Sequence, residues 1–176
     1  SATVDEEVVI KIYKVEGEEL NLVRRYNSLN DVPEYLALLT GEYVAKVQVG
    51  EKHIVSFDEK YYLGEKSFTV TAGNVSNVTV DCKIQSTIVR VEYDSSVVEK
   101  LDAGYFTNVS VAESYDADAI ATGDIHSLRY EESTEGSYVL PAEQTTLFWH
   151  FEGNHSVEGP IVKEGKIENV KPSVKY

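Results

Sequence analysis

Residues 78–93, VTVDCKIQSTIVRVEY, set the strongest limit on what this chain folds into, because their alternation of apolar and polar side chains changes phase halfway. Val78, Val80, Cys82 and Ile84 are apolar at even positions, with Thr79, Asp81 and Lys83 between them. Past Gln85, Ser86 and Thr87 the apolar residues are Val89, Val91 and Tyr93, at odd positions, and Arg90 and Glu92 turn to the opposite face. Successive side chains of a strand point to opposite faces, so one flat strand cannot hold both phases. A break here divides the chain into an N-terminal linker over 1–7, a first β-sandwich over 8–85 and a second over 86–176. Each half is long enough for a small seven-stranded sandwich. A bulge instead of a break leaves a single larger sandwich.

The rest of the chain speaks for the same fold class. VVIKIYKV (8–15), YVAKVQV (43–49), KSFTVTA (66–72), VTVDCKI (78–84), IVRVEY (88–93), YFTNVSV (105–111) and TLFWHF (146–151) read as strands separated by turn-forming EGEE, VGEK, AGN, AGY and EGN. Twelve tyrosines and abundant Val and Thr suit pleated, half-buried surfaces. Many short antiparallel strands mean an all-β sandwich or barrel. Two stretches read as short helical connections: Ser96 to Glu99, with a capping-box spacing, and Asp31-Val32-Pro33-Glu34, which opens EYLALL with an acidic cap and a first-turn proline.

Charge removes several functions. Thirty acidic against sixteen basic residues give a net charge of -14, which repels phosphate backbones and anionic headgroups, so no nucleic-acid partner is expected. No apolar run approaches the length of a membrane span. The start, SATVDEE, has no apolar core of a signal peptide, so the expectation is either a cytosolic protein or a mature chain without its leader.

No motif names a reaction: GxSxG, HExxH, a phosphate-binding glycine loop and a dinucleotide fingerprint are all missing. No catalytic, cofactor-binding or metal-ligating residue is therefore assigned, and no cofactor is expected. His150 and His155 flank Glu152 in WHFEGNH, but the spacing matches no zinc pattern, and they read as solvated side chains of a hairpin tip. Asp116, Asp118 and Asp124 read as an acidic surface turn, since Ile120 stands where a calcium loop needs an oxygen ligand. The lone cysteine, Cys82, shares inward parity with Val78 and Val80 and is expected in the core. Asn74, Asn77, Asn108 and Asn154 begin Asn-x-Ser/Thr sequons, of which Asn77 and Asn108 have outward parity. Trp149 shares parity with Leu147 and Phe151, a core pattern rather than a sugar-stacking platform. In Leu39-Thr40-Gly41-Glu42-Tyr43 the spacing is that of a tyrosine corner, whose hydroxyl bonds back to the backbone a few residues upstream.

Leu38 to Tyr43, Phe57 ahead of Tyr61-Tyr62-Leu63-Gly64, Phe68 to Gly73, Val78 to Lys83 and the ending Gly165 to Tyr176 resemble a Bacteroidetes domain-of-unknown-function family of fimbrillin-like surface lipoproteins. The resemblance implies two tandem Greek-key, transthyretin-like β-sandwiches, exported to the bacterial cell surface. There they would be held at the outer membrane by a lipidated cysteine upstream of this sequence. It implies a non-enzymatic structural or adhesive role, with other protein chains as partners through strand exchange. The alternative is a carbohydrate-binding module with surface glycans as ligands. At the C-terminus, Pro172 belongs in a turn and Tyr176 at the head of a following strand, so the second sandwich is expected to show a vacant strand position and an unpaired edge.

Overall fold

The computed structural model describes residues 7–111, 117–123, 126–140, 146–171 and 173–176. In chain order the strands are β1 (Val8–Glu16), β2 (Glu19–Tyr26), β3 (Gly41–Val49), β4 (Val55–Ser56), β5 (Tyr62–Val70), β6 (Lys83–Ile84), β7 (Thr87–Val91), β8 (Phe106–Val111), β9 (Ser127–Tyr130), β10 (Thr134–Tyr138), β11 (Leu147–His155) and β12 (Gly159–Ile167). Among the described residues, two six-residue helices, α1 (Ser95–Lys100) and α2 (Ala117–Thr122), and one 3-10 turn complete the elements. The chain is thus mostly strand, as its Val, Thr and Tyr content predicts, and the three sheets are antiparallel. No helix among the described residues is long and apolar enough to cross a membrane.

Two compact units emerge, one of residues 1–52 and 60–85, the other of 53–59 and 86–176. The first is built on a single five-stranded sheet of order β2-β1-β3-β5-β6. Its strands alternate cleanly. Ile10 and Ile12 of β1, Tyr43, Ala45 and Val47 of β3, and Phe68 and Val70 of β5 line the apolar side, while Lys11, Tyr13, Lys46 and Gln48 face the other way. Tyr43 and Phe68, opposite each other in register, stack with ring centroids 5.5 Å apart. The apolar side is covered by extended segments around 32–38 and 74–80, with a cavity of about 460 Å³ beneath them. The Tyr43 hydroxyl, on a residue 2% exposed, donates to the Leu39 carbonyl at 2.6 Å, four residues upstream, as the corner spacing requires.

The second unit has two sheets, β4-β10-β7 and β12-β11-β8-β9, that share one core. Val89, Val109, Val111, Leu128, Tyr130, Tyr138, Leu147 and Val170 fill it, with contributions from both sheets. Two fully buried tyrosines cross between the layers. Tyr130 of β9 reaches the Val89 carbonyl of β7 at 3.1 Å, and Tyr138 of β10 reaches the Val109 carbonyl of β8 at 3.2 Å. Their hydroxyls meet at 3.0 Å. Gly136 stands where a Cβ would come within 2.5 Å of Leu128 Cδ1 and would also press on the Tyr130 hydroxyl, so the close approach needs a residue without a side chain.

Several expectations are corrected. Residues 53–59, assigned above to the first sandwich, belong to the second unit, because Val55 and Ser56 pair with Tyr138 and Ser137 of β10. In the segment 78–84 only Lys83–Ile84 enters a ladder, opposite Tyr62 and Leu63 of β5. Val78 is accordingly 37% exposed and Cys82 half-buried rather than sealed in the core, although burial, with the nearby Asp81 carboxylate, still pushes its thiol pKa up. The helix expected from Asp31 is a 3-10 turn over Leu29–Asp31, capped by Ser28, whose hydroxyl accepts from the Asn30 N–H at 3.2 Å. Val32, ahead of Pro33, is extended, as the proline ring favours, and ends it. The cap of α1 is Asp94, whose carboxylate accepts from the Ser96 N–H at 2.8 Å; Ser96 itself lies inside the helix.

Two outcomes follow from the buried hydroxyls. Tyr43→Phe deletes one bond in a packed corner and is expected to lower unfolding free energy by about 1 kcal/mol in urea melts, with an unchanged midpoint ruling the corner out as a stabilising contact. Burial pushes the Tyr130 pKa up to about 12, and that of Tyr138 upward as well. Both phenols stay protonated in the folded state while an unfolded tyrosine ionises near pH ~10. The stability they lend is therefore full below pH ~10 and is lost as pH rises through that value towards about 12. Phenolate absorbance in an alkaline titration should show these two tyrosines ionising only as the protein unfolds.

Candidate functional site

A groove of about 440 Å³ opens on the second unit between β7 and the β11–β12 hairpin. Its parity explains its character. The odd residues of β7 point inward, so Val89 and Val91 form one wall, and the exposed Arg90 and Glu92 border it. Val109 of β8, Trp149 and Phe151 of β11, and Ile167 of β12 supply the rest of the apolar lining, with Val97 of α1 and Tyr93 at one end and Lys163 among its few charged residues. Tyr93 is held by a 2.7 Å contact between its hydroxyl and Thr107 Oγ1 and a 2.7 Å bond to the Tyr130 carbonyl. Tyr105 packs edge-on against it at 4.9 Å. Burial raises the Tyr93 pKa, so the phenol is neutral at physiological pH.

One edge of β7 pairs with β10; the other carries the end of the chain. Ile88 donates its N–H to the Val174 carbonyl at 3.0 Å, Tyr176 donates to the Ile88 carbonyl at 2.8 Å, and Arg90 donates to the Tyr176 carbonyl at 2.7 Å. Ile88 and Lys175 thereby form a parallel bridge. The Tyr176 hydroxyl accepts from the Lys171 N–H at 3.0 Å, five residues upstream, and Lys175 pairs with Glu135. The expectation of a vacant, unpaired edge is therefore corrected over Ile88–Arg90, where Val174–Tyr176 occupies it; Pro172 lies outside the described residues. β7 ends at Val91, and Glu92 follows it beside the apolar groove.

Of the candidate ligand residues singled out in the sequence, His150 and Glu152 come together, and the other described ones do not join them. His150 is no hairpin-tip side chain: it is 3% exposed, with Nδ1 3.0 Å from Glu164 Oε1 and Nε2 3.0 Å from Glu152 Oε1. Glu164 is its direct cross-strand partner and Glu152 lies two residues on along the same face. His155, at odd parity, serves the turn instead, its Nδ1 accepting the N–H groups of Val157 and Glu158. Asp118 sits in the first turn of α2; Asp116 and Asp124 lie outside the described residues. Among the described residues no group of three or more His, Cys, Asp or Glu is arranged to hold a metal. Asn108 has the outward parity read from the sequence, yet α2 covers it, and its amide donates to the Ile120 carbonyl at 3.2 Å. Asn74, Asn77 and Asn154 are exposed.

Trp149, half-buried, lies on Gly165, its cross-strand neighbour, where a Cβ would sit 2.5 Å from the indole. Nothing in the sequence marked the groove beyond the parity of β7 and β11, because its lining residues are ordinary core types. Gly165→Ala is expected to displace the only tryptophan towards the groove mouth, costing about 1 to 3 kcal/mol and red-shifting its emission. Unchanged emission and stability would mean that the indole does not rest on β12.

No curated protein matches the chain. A family model described as domain of unknown function (DUF4493) matches residues 1–176, and the chain belongs to that family.

Proposed function

We propose that this is a non-enzymatic structural or adhesive protein of a bacterial envelope, built as tandem Greek-key, transthyretin-like sandwiches. In this reading it joins other copies of itself by strand addition along β7. The extended segments around 32–38 and 74–80 serve as the second layer of the first sandwich. The surface location, with a lipid anchor upstream, rests on the resemblance of the Leu38–Tyr43, Phe68–Gly73 and Gly165–Tyr176 stretches to fimbrillin-like lipoproteins.

The observation that carries the reading is the shape of the β7 edge. A three-residue segment already pairs there in parallel, and the apolar groove runs on beside Val91 and Tyr93. An extended segment laid into such a groove gains main-chain bonds from the edge and buries every second side chain. An edge of this kind is otherwise an aggregation hazard.

Sedimentation of the purified protein over a range of concentrations tests this. Self-association is expected, and Glu92→Pro, which deletes the N–H that an added strand would bond, is expected to abolish it with circular dichroism unchanged. A protein that stays monomeric throughout, or one whose association ignores the substitution, overturns the reading.

A further inference from the structure

The solvent-facing side of the five-stranded sheet holds an arrangement that its own stability does not explain. Across β2, β1, β3 and β5 the register aligns Arg25, Lys11, Lys46 and Glu65 in one row. Three like charges are therefore consecutive cross-strand neighbours, at a strand spacing of about 4.8 Å, where like charges directly opposite destabilise a sheet. The chain has only sixteen basic residues against thirty acidic ones, so charge balance alone gives no reason to collect them. Among the described residues they are not neutralised by ion pairs, Arg25 donating its Nε to the neutral Asn27 Oδ1 at 2.9 Å. No ion pair within 4.0 Å joins Arg25, Lys11 or Lys46 to any described carboxylate, Glu65 included.

The same face is concave. A cavity of about 620 Å³ lies over Lys11 and Lys46 and extends to Lys83, with Arg25 continuing the row beyond it. Tyr13 stands at one side with Lys46 Nζ 5.5 Å from its ring centroid. Gln48 and Gln85 bring amides, Val9 and Leu63 apolar surface, and Glu65 and Asp81 are the two carboxylates at the wall.

We infer that this cleft of the first unit binds an acidic saccharide, a chain of sugar rings carrying carboxylate or sulfate groups, with Lys11, Lys46 and Arg25 on the anionic groups and Gln48 and Gln85 on the hydroxyls. Spaced ammonium and guanidinium groups suit spaced anions. The amides and the tyrosine ring suit the uncharged parts of a sugar, which a polyphosphate lacks. The net charge of -14 points the same way, since long-range repulsion grows with the charge density of the ligand, and a saccharide with one anion per ring or two meets less of it than a nucleic acid. This inference goes beyond the strand-addition reading and stands without it, on a different unit.

Calorimetric titration with short oligogalacturonate and with a sulfated chondroitin oligosaccharide separates the two anionic groups, and a neutral oligosaccharide and poly-glutamate serve as comparisons. Binding of at least one acidic saccharide is expected, weakening as salt rises. The double variant Lys11→Gln, Lys46→Gln is expected to lose at least tenfold in affinity while melting at the same or a higher temperature, because a like-charge contact has been removed. The thermal shift separates a binding role from a structural one. The inference is overturned by no binding of either acidic saccharide, by equal binding of the neutral chain or of poly-glutamate, or by a double variant that binds as well as the parent or melts lower. Glu92→Pro should leave this binding intact, so failure of one reading is distinguishable from failure of the other.

Discussion

The crossed pair Tyr130 and Tyr138 is the contact on which the second unit turns. Each ring is anchored in one sheet and sends its hydroxyl to a main-chain carbonyl of the facing sheet, so four strands are tied through two side chains. An apolar pair would fill the same space but would leave the Val89 and Val109 carbonyls without these donors. The bonds are directional, so they fix the lateral placement of the sheets as well as their separation. Gly136 exists in β10 to let the Tyr130 ring lie close, and Phe57 closes over that ring edge-on at 5.1 Å. Recruitment of 53–59 into this unit then has a physical cause: the segment supplies Val55 to the rim of the core and Phe57 to the tyrosine.

The first unit solves the same problem with less. Its single regular sheet presents an apolar side to segments that make no ladder of their own, and several of their side chains, Tyr35 at 71% and Val75 at 69% among them, stay exposed. The hydrogen-bonded corner at Tyr43 is the device that fixes where the covering chain enters β3. Packing in this layer is correspondingly open, as the cavity under it shows.

Legibility in the sequence followed burial. β1 and β3 were readable from period-two alternation, as was the phase slip after Gln85 where the two units divide, whereas β8 and β11, buried on both faces, were readable from their Val, Thr and aromatic content and the turns beside them. β2 was not, because ELNLVRRY is exposed along almost its whole length and alternates for no core. β10 was hidden for the opposite reason: TEGSY buries Gly136, Ser137 and Tyr138 in succession, with polar groups satisfied across the sheet rather than apolar ones aligned. At His150 the composition of WHFEGNH was visible, but its burial depends on Glu164, a strand away and unseen by local spacing. The cationic row was equally out of reach, since Lys11, Arg25 and Lys46 become neighbours only once the register of three strands is known.

The β1–β2 hairpin carries an irregularity between Ile12 and Tyr13, where the partner jumps from Arg24 to Leu22 and Val23 is the extra residue. Such a bulge bends the strand and changes which of its residues share a face. On the turn side Leu22 faces Tyr13, and on the far side Arg25 faces Lys11, each fixed by its own stretch of ladder. The extra residue puts Leu22 on the same face as Arg25 although they stand three apart, so the bulge re-aims the tip half of β2 and places an apolar side chain, not a polar one, beyond the end of the positive row.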